Sequence, residues 1–344
     1  MLHFDTDYMA GAHPKVMERL LKTNHLQTVG YGSDDYTKHA AELIKDACGK
    51  PDARVYFLTG GTQTNATVID GLLAKHQGVL AAESGHINVH EAGAIEASGH
   101  KILTLPQHEG KIWASELKEY IENFYNDDTY EHMVAPGMLY ISFPTEYGTV
   151  YSYEELKEIS DICNQYQIPL YIDGARLAYG LAAENGNVTL NDIAALADVF
   201  YIGGTKVGTL FGEAVVITNP TLLKNFFPLI KQHGALLAKG RLLGVQFEAL
   251  FEDNLYEEIG LQAVNKAIRI REIFKSKGYK IAANSPTNQQ FIRLPNHIID
   301  QLMPNVSFEL WGPRGKEETT VRFVTGWTTT DQEIETLAEI LDKL

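Results

Sequence analysis

With 344 residues, 44% of them apolar, the chain can bury a sizeable core as one large domain or two ordinary ones. A formal net charge of -15 argues against a nucleic-acid phosphate backbone or an anionic membrane as the main partner. A locally basic pocket can still hold a small anion. Cys48 and Cys163 lie in amphipathic stretches without a CxxC pair, so they read as reduced thiols rather than a secreted disulfide framework. The N-terminus lacks a basic patch followed by an apolar run, and no apolar run is long enough to cross a bilayer. The expectation is a cytoplasmic protein.

In chain order, residues 54–58 read as a strand and residues 63–75 as a helix. Residues 79–82 are strand-like and 86–97 helix-like. Further buried-strand patterns fall at 102–105, 138–141, 168–172, 199–202 and 214–217. Between two of these, residues 154–166 carry Leu156, Ile159, Ile162 and Cys163 at helical spacing. Such alternation predicts an α/β fold, a mainly parallel sheet with helices on both faces. The pattern changes near Ala235. A long helix is expected from there to about Lys277, broken around Glu252-Asp253-Asn254. Strands follow at 289–294, 306–310 and 320–324. A last helix starts at Thr330, with Glu333 placed to complete a capping box. This suggests a large domain over residues 25–245. A smaller α+β domain would comprise 1–24 and 246–344, with the 14–22 segment packing on it.

Three motifs stand at predicted strand ends. Thr59-Gly60-Gly61-Thr62-Gln63-Thr64-Asn65 joins a strand to a helix. Its glycines permit close backbone approach, and a helix start suits a phosphate. The plain structural reading is a turn capped by Thr62 or Thr64. Its spacing matches neither a Walker loop nor the dinucleotide fingerprint. In Tyr171-Ile172-Asp173-Gly174-Ala175-Arg176, a carboxylate ends an apolar strand, at the sheet edge where ligands bind. The structural alternative makes Asp173 a helix cap and Arg176 its surface partner. In Tyr201-Ile202-Gly203-Gly204-Thr205-Lys206-Val207-Gly208, one lysine follows a strand among small uncharged residues. A desolvated lysine amine forms Schiff bases with carbonyls. A solvated lysine is the ordinary alternative.

Together the three are more specific than any one alone. A phosphate cradle, a carboxylate for a pyridine nitrogen and a lysine for an aldehyde are what pyridoxal 5'-phosphate requires. His86 and His90 stand four apart beside Glu91, but the order is not that of a metalloprotease and no third ligand has motif spacing. A stacking role for His86 on a planar ring ranks above a metal site. Arg322, inside Thr320-Val321-Arg322-Phe323-Val324-Thr325, could grip a substrate carboxylate or lie on an edge strand's surface. Lys239 and Arg241 could supply charge near a phosphate or simply coat a helix.

These segments resemble the threonine aldolase and β-eliminating lyase family of fold-type I pyridoxal phosphate enzymes. The resemblance runs over nearly the whole chain. It starts at residues 4–14 and Tyr31-Gly32-Ser33-Asp34, and continues through Gly60–Thr62, Gly85-His86, residues 90–93 and 144–148, Asp173–Arg176 and Lys206, to Arg322–Thr325. It implies that Lys206 forms the Schiff base and that Asp173 pairs with the ring nitrogen. Arg176 would lie near the cofactor phenolate or the substrate carboxylate. Gly60, Gly61 and Thr62 would hold the phosphate, and His86 would stack on the ring. Arg322 and Thr6 would bind the substrate carboxylate. Family members are dimers or tetramers with shared sites, so Tyr31 and Lys239 would reach across from a neighbouring subunit.

Three departures touch the substrate side. Thr205 and Thr6 stand where serine is common, and Ala235-Leu236-Leu237-Ala238-Lys239 replaces a Gly-Gly-Gly-Met-Arg segment. The expected reaction is Cα–Cβ cleavage of L-threonine, L-allo-threonine or a related β-hydroxy-α-amino acid to glycine and an aldehyde. β-Elimination or amino transfer on another amino acid is the alternative within the cofactor class. A metal-binding or non-catalytic partner protein is the alternative outside it.

Overall fold

The computed structural model describes residues 1–344. Its centre is a seven-stranded sheet in the order Arg54–Leu58, Glu213–Ile217, Val199–Gly203, Leu170–Asp173, Ala135–Ser142, Gln77–Ala82, Ile102–Leu105. All strands are parallel except Glu213–Ile217, which runs antiparallel to both neighbours. Apolar side chains alternate between the two faces, and each face has its own core. Leu139, Ile141, Ile172 and Phe200 point to one, and Met138, Tyr140, Tyr171 and Tyr201 to the other. The parallel arrangement brings the ends of Leu58, Ser142, Asp173 and Gly203 to one sheet edge, together with the start of the strand at Glu213.

A second, antiparallel sheet holds Glu309–Leu310, Glu318–Val324, Gln289–Pro295 and Lys280–Ala283, in that order. Its own core takes Phe4, Ile270, Phe274, Ile292, Phe323 and Leu337. The Leu255–Ser276 helix serves both units. Its Ile259 and Val264 face the large sheet's core, and its Ile270 and Phe274 face the small one.

Several elements differ from expectation. The 86–97 stretch is two one-turn helices, His86–Val89 and Ala94–Ala97, because Ala92 (φ 52°) and Gly93 (φ 75°) take left-handed backbone between them. That kink turns Glu91 inward. The long helix begins at Arg241 rather than near Ala235, since Gly234 (φ 70°) and the Tyr31 N–H bond to the Ala238 carbonyl hold the intervening segment out of helix. The break near Asp253 is real, with positive φ at Asp253 and Asn254. Residues 306–310 are two short strands. Val306–Ser307 pairs with Leu2–His3 and Glu309–Leu310 with Glu318–Val324, while Phe308 stacks on Phe323. The Pro14–Thr23 helix packs on the Arg241–Phe251 helix, its buried Val16 sharing a core with Leu243, Phe247 and Leu250. The last helix, Asp331–Asp342, has the expected Thr330–Glu333 capping box.

Candidate active site

A cavity of about 260 Å³ opens at the sheet edge where these strands end. Gly60, Gly61, Thr62, His86, Asp173, Arg176 and Lys206 all line it. Sequence motifs more than 140 residues apart therefore meet in one place, as the strand order requires.

The turn after Leu58 leads into the Gly61–Leu72 helix. Its N-cap is Gly60, and no side chain caps it. Neither Thr62 nor Thr64 plays the structural part open to it, and the Thr64 hydroxyl is buried without a partner. The first-turn N–H groups are left for an anion in the cavity. A Cβ at Gly61 would stand 3.2 Å from the Tyr201 hydroxyl, so glycine keeps this wall open.

Asp173 is buried and accepts four hydrogen bonds. Tyr201 Oη (2.5 Å) and the Ala175 N–H (3.0 Å) donate to Oδ1, and Asn65 Nδ2 (2.9 Å) and Tyr140 Oη (2.6 Å) donate to Oδ2. Burial alone would raise its pKa. The His86 charge and these donors outweigh that and hold the carboxyl below its ordinary range. Asp173 caps no helix, and Arg176 is not its surface partner. The guanidinium makes a bidentate pair with Asp7, Nε to Oδ2 at 2.7 Å and Nη2 to Oδ1 at 3.0 Å. Burial opposes ionisation of Asp7, but the Arg176 and Lys206 charges lower its pKa. Removing one partner of such a buried pair typically costs about 3–5 kcal/mol.

Lys206 is not a solvated lysine. Its amine lies in the cavity without an ion-pair partner, 5.9 Å from the Tyr8 ring centroid. Burial, and then the nearby Arg176 charge, pull its pKa down to about 8. Across the cavity, His86 Nδ1 lies 2.7 Å from Glu91 Oε1, and the same oxygen accepts from Asn65 Nδ2 at 2.8 Å. Asn65 thereby ties Glu91 to Asp173, and its own carbonyl oxygen accepts from Tyr171 Oη at 2.9 Å. The His86 backbone N–H donates to Glu146 Oε1 at 2.9 Å. With Nδ1 engaged, His86 presents Nε2 as its free ring nitrogen.

Arg322 is inward. Its strand is interior to the small sheet, flanked by Gln289–Pro295 and Glu309–Leu310, so the exposed-edge reading fails. Nη1 donates to Gln289 Oε1 at 2.8 Å, Nη2 donates to Glu309, and the guanidinium lies 4.9 Å from the Trp311 ring centroid. Its Nε is buried and unpartnered, as is the Thr6 hydroxyl. Burial, then the Arg176 charge, lower its pKa. Neither Arg322 nor Thr6 lines the cavity of about 260 Å³ itself, and within one chain Tyr31 and Lys239 are exposed and do not line it either. Asn65, Glu91, Tyr140, Tyr201, Glu213 and Asp7 are the site residues that sequence reasoning left unassigned. The available signal was a tyrosine inside each of three apolar strands, at Tyr140, Tyr171 and Tyr201.

The model of the β-eliminating lyase family matches residues 3–295. The chain belongs to that family. Among curated relatives of this lyase, a low specificity L-threonine aldolase from a Pseudomonas species is 31% identical over 255 residues, 74% of this chain and 72% of that one. One from Pseudomonas aeruginosa is 26% identical over 338 residues, covering 97% and 95%. Among solved structures, the Leishmania major threonine aldolase superposes with a TM-score of 0.96 at 40% identity, covering 100% of this chain and 99% of that one. Thermus thermophilus aspartate aminotransferase, at 12% identity and a TM-score of 0.70 (99% and 96% covered), shares the fold alone. No helix is long and apolar enough to cross a membrane.

Proposed function

We propose that this lyase is a pyridoxal 5'-phosphate-dependent aldolase. It cleaves L-threonine, L-allo-threonine and related β-hydroxy-α-amino acids to glycine and an aldehyde. The observation that carries the cofactor is the Lys206 amine, unpaired in a cavity it shares with an uncapped helix start and a carboxylate kept ionised by four donors. These residues fit the cofactor's aldehyde, phosphate and ring nitrogen. Of the side-chain donors to Asp173, only Tyr201 lines the cavity, so its hydroxyl is the one placed to yield to a ring N–H. Bound there, the cofactor supplies an electron sink.

The chain's residues do the rest. Lys206 would hold the cofactor through its aldehyde. Arg322 and the Thr6 hydroxyl bind the substrate carboxylate and so fix which bond at Cα is broken. His86, backed by Glu91, takes the β-hydroxyl proton at Nε2. Burial of Tyr140 and Tyr201, then the Asp173 charge, push their hydroxyls well above the ordinary range, so they stay protonated as donors to it. Tyr31 and Lys239, exposed and outside this cavity in one chain, would reach the site from a neighbouring subunit of a homodimer or homotetramer. Two buried free cysteines suit a reducing cytoplasm. The purified protein, given L-threonine, L-allo-threonine and phenylserine, should release glycine and the matching aldehyde. Pyruvate and ammonia from serine or cysteine, without glycine from threonine, would move the assignment to elimination.

A further inference from the structure

Glu213 is 3% exposed and lines the same cavity, yet nothing above uses it. It opens its strand directly between Leu58 and Gly203 in register, so it sits between the turn that begins the Gly61–Leu72 helix and the loop that carries Lys206. Only uncharged groups bond it. The Gly204 N–H donates to Oε2 at 3.1 Å and the Thr205 hydroxyl to Oε1 at 2.8 Å. The Thr205 oxygen also accepts from the Gly212 N–H at 3.1 Å.

The cavity's charges make an ionised Glu213 a poor neighbour for a phosphate. Glu91, Glu146 and Asp173 already bring three carboxylates. The lining cations are Arg176, which is engaged by Asp7, and Lys206, which the cofactor would engage. His86 is bonded to Glu91. An anion at the Gly60–Thr62 turn therefore meets no free cation from this chain, and a further negative charge beside it would repel it.

Resting on the cofactor assignment above, we propose that Glu213 is a phosphate-binding residue that acts as a neutral carboxylic acid, donating its proton to the phosphate cradled at Gly60–Thr62. A protonated carboxyl gains one O–H donor and keeps acceptor capacity for Gly204 and Thr205. Burial raises the Glu213 pKa to about 8, with the Asp173 charge acting the same way and Thr205, Lys206 and Gly204 opposing. A bound phosphate pushes it further up. The ionisable groups around it are Lys206 and Asp173, whose charges act on it, and Tyr171, Tyr201 and Tyr256, which feel its charge; His86, Glu91, Glu146 and Arg176 line the same cavity, and none of these groups donates to it.

The test compares affinities of the full-length apoprotein for pyridoxal 5'-phosphate and for pyridoxal, read by tryptophan fluorescence from about pH 6.5 to about 9.5. The ratio of the two dissociation constants isolates the phosphate, because Lys206 titrates in both. In the wild type the phosphate advantage should fall roughly tenfold or more as pH rises through the Glu213 ionisation. In Glu213→Gln, which keeps a neutral donor, it should stay flat within about twofold. Glu213→Asp should retain the fall. A pH-independent ratio in the wild type, or the same fall in Glu213→Gln, overturns the proposal. The wild-type curve alone decides it if the variants do not fold. A protein that binds neither compound fails the cofactor assignment instead.

Discussion

Asn65 is the residue on which the site's polar network converges. Its amide donates to Glu91 Oε1 and Asp173 Oδ2, and its oxygen accepts from Tyr171. All four side chains are buried. Asn65→Ala removes two hydrogen bonds to charged acceptors, worth about 1.5–3 kcal/mol each, and strands a tyrosine hydroxyl at about 1–3 kcal/mol. Water entering the space left by the amide recovers part of this, so the expected loss is about 3–5 kcal/mol. Urea unfolding of the apoprotein at fixed protein concentration measures it. Asn65→Asp keeps the shape but replaces a donor by a third carboxylate. The new acid's folded pKa would lie above its unfolded value, so the native state would bind a proton that the unfolded chain releases. The loss should then be fully present at neutral pH and shrink as pH falls. A loss under about 1 kcal/mol for Asn65→Ala, or an Asn65→Asp defect that deepens on acidification, would refute the network.

Other outcomes follow from the same geometry. With a pKa of about 8, the Lys206 amine is neutral in roughly one molecule in ten at pH 7, against about one in 2,500 for an ordinary lysine. Competitive acylation of the apoprotein, read by mass spectrometry, should show Lys206 reacting with a midpoint about two pH units below that of solvated lysines. Equal midpoints would contradict its burial. Arg322→Lys keeps the charge but loses the planar fork, and KM for L-threonine should rise roughly 10–100-fold with kcat changed by less than about fivefold. A fall confined to kcat would remove Arg322 from carboxylate binding. Burial pushes the Cys48 thiol up to about 12 and the Cys163 thiol higher still, so neither should react with a thiol reagent until the protein unfolds.

The sequence was most legible where a local rule governs the chain. The Thr330–Glu333 capping box and the apolar runs that became sheet strands follow from spacing alone. The Gly60, Asp173 and Lys206 motifs were visible because each stands at a strand end, and the parallel sheet necessarily gathers strand ends. Asp7 was out of reach, since no local pattern links it to Arg176, 169 residues away. Glu91 was misplaced with its helix, because a left-handed Ala92 is not written in residue type. Glu213 hid at the head of an apolar strand that sequence alone gives no reason to run antiparallel.

The central claim is that Lys206 carries the cofactor. Borohydride reduction of the protein with bound pyridoxal 5'-phosphate, followed by proteolysis and mass spectrometry, tests it directly. We expect one phosphopyridoxyl group per chain, on the peptide containing Lys206, and none on Lys206→Ala. A label on another lysine, or a Lys206→Ala protein that still binds the cofactor covalently, would contradict it.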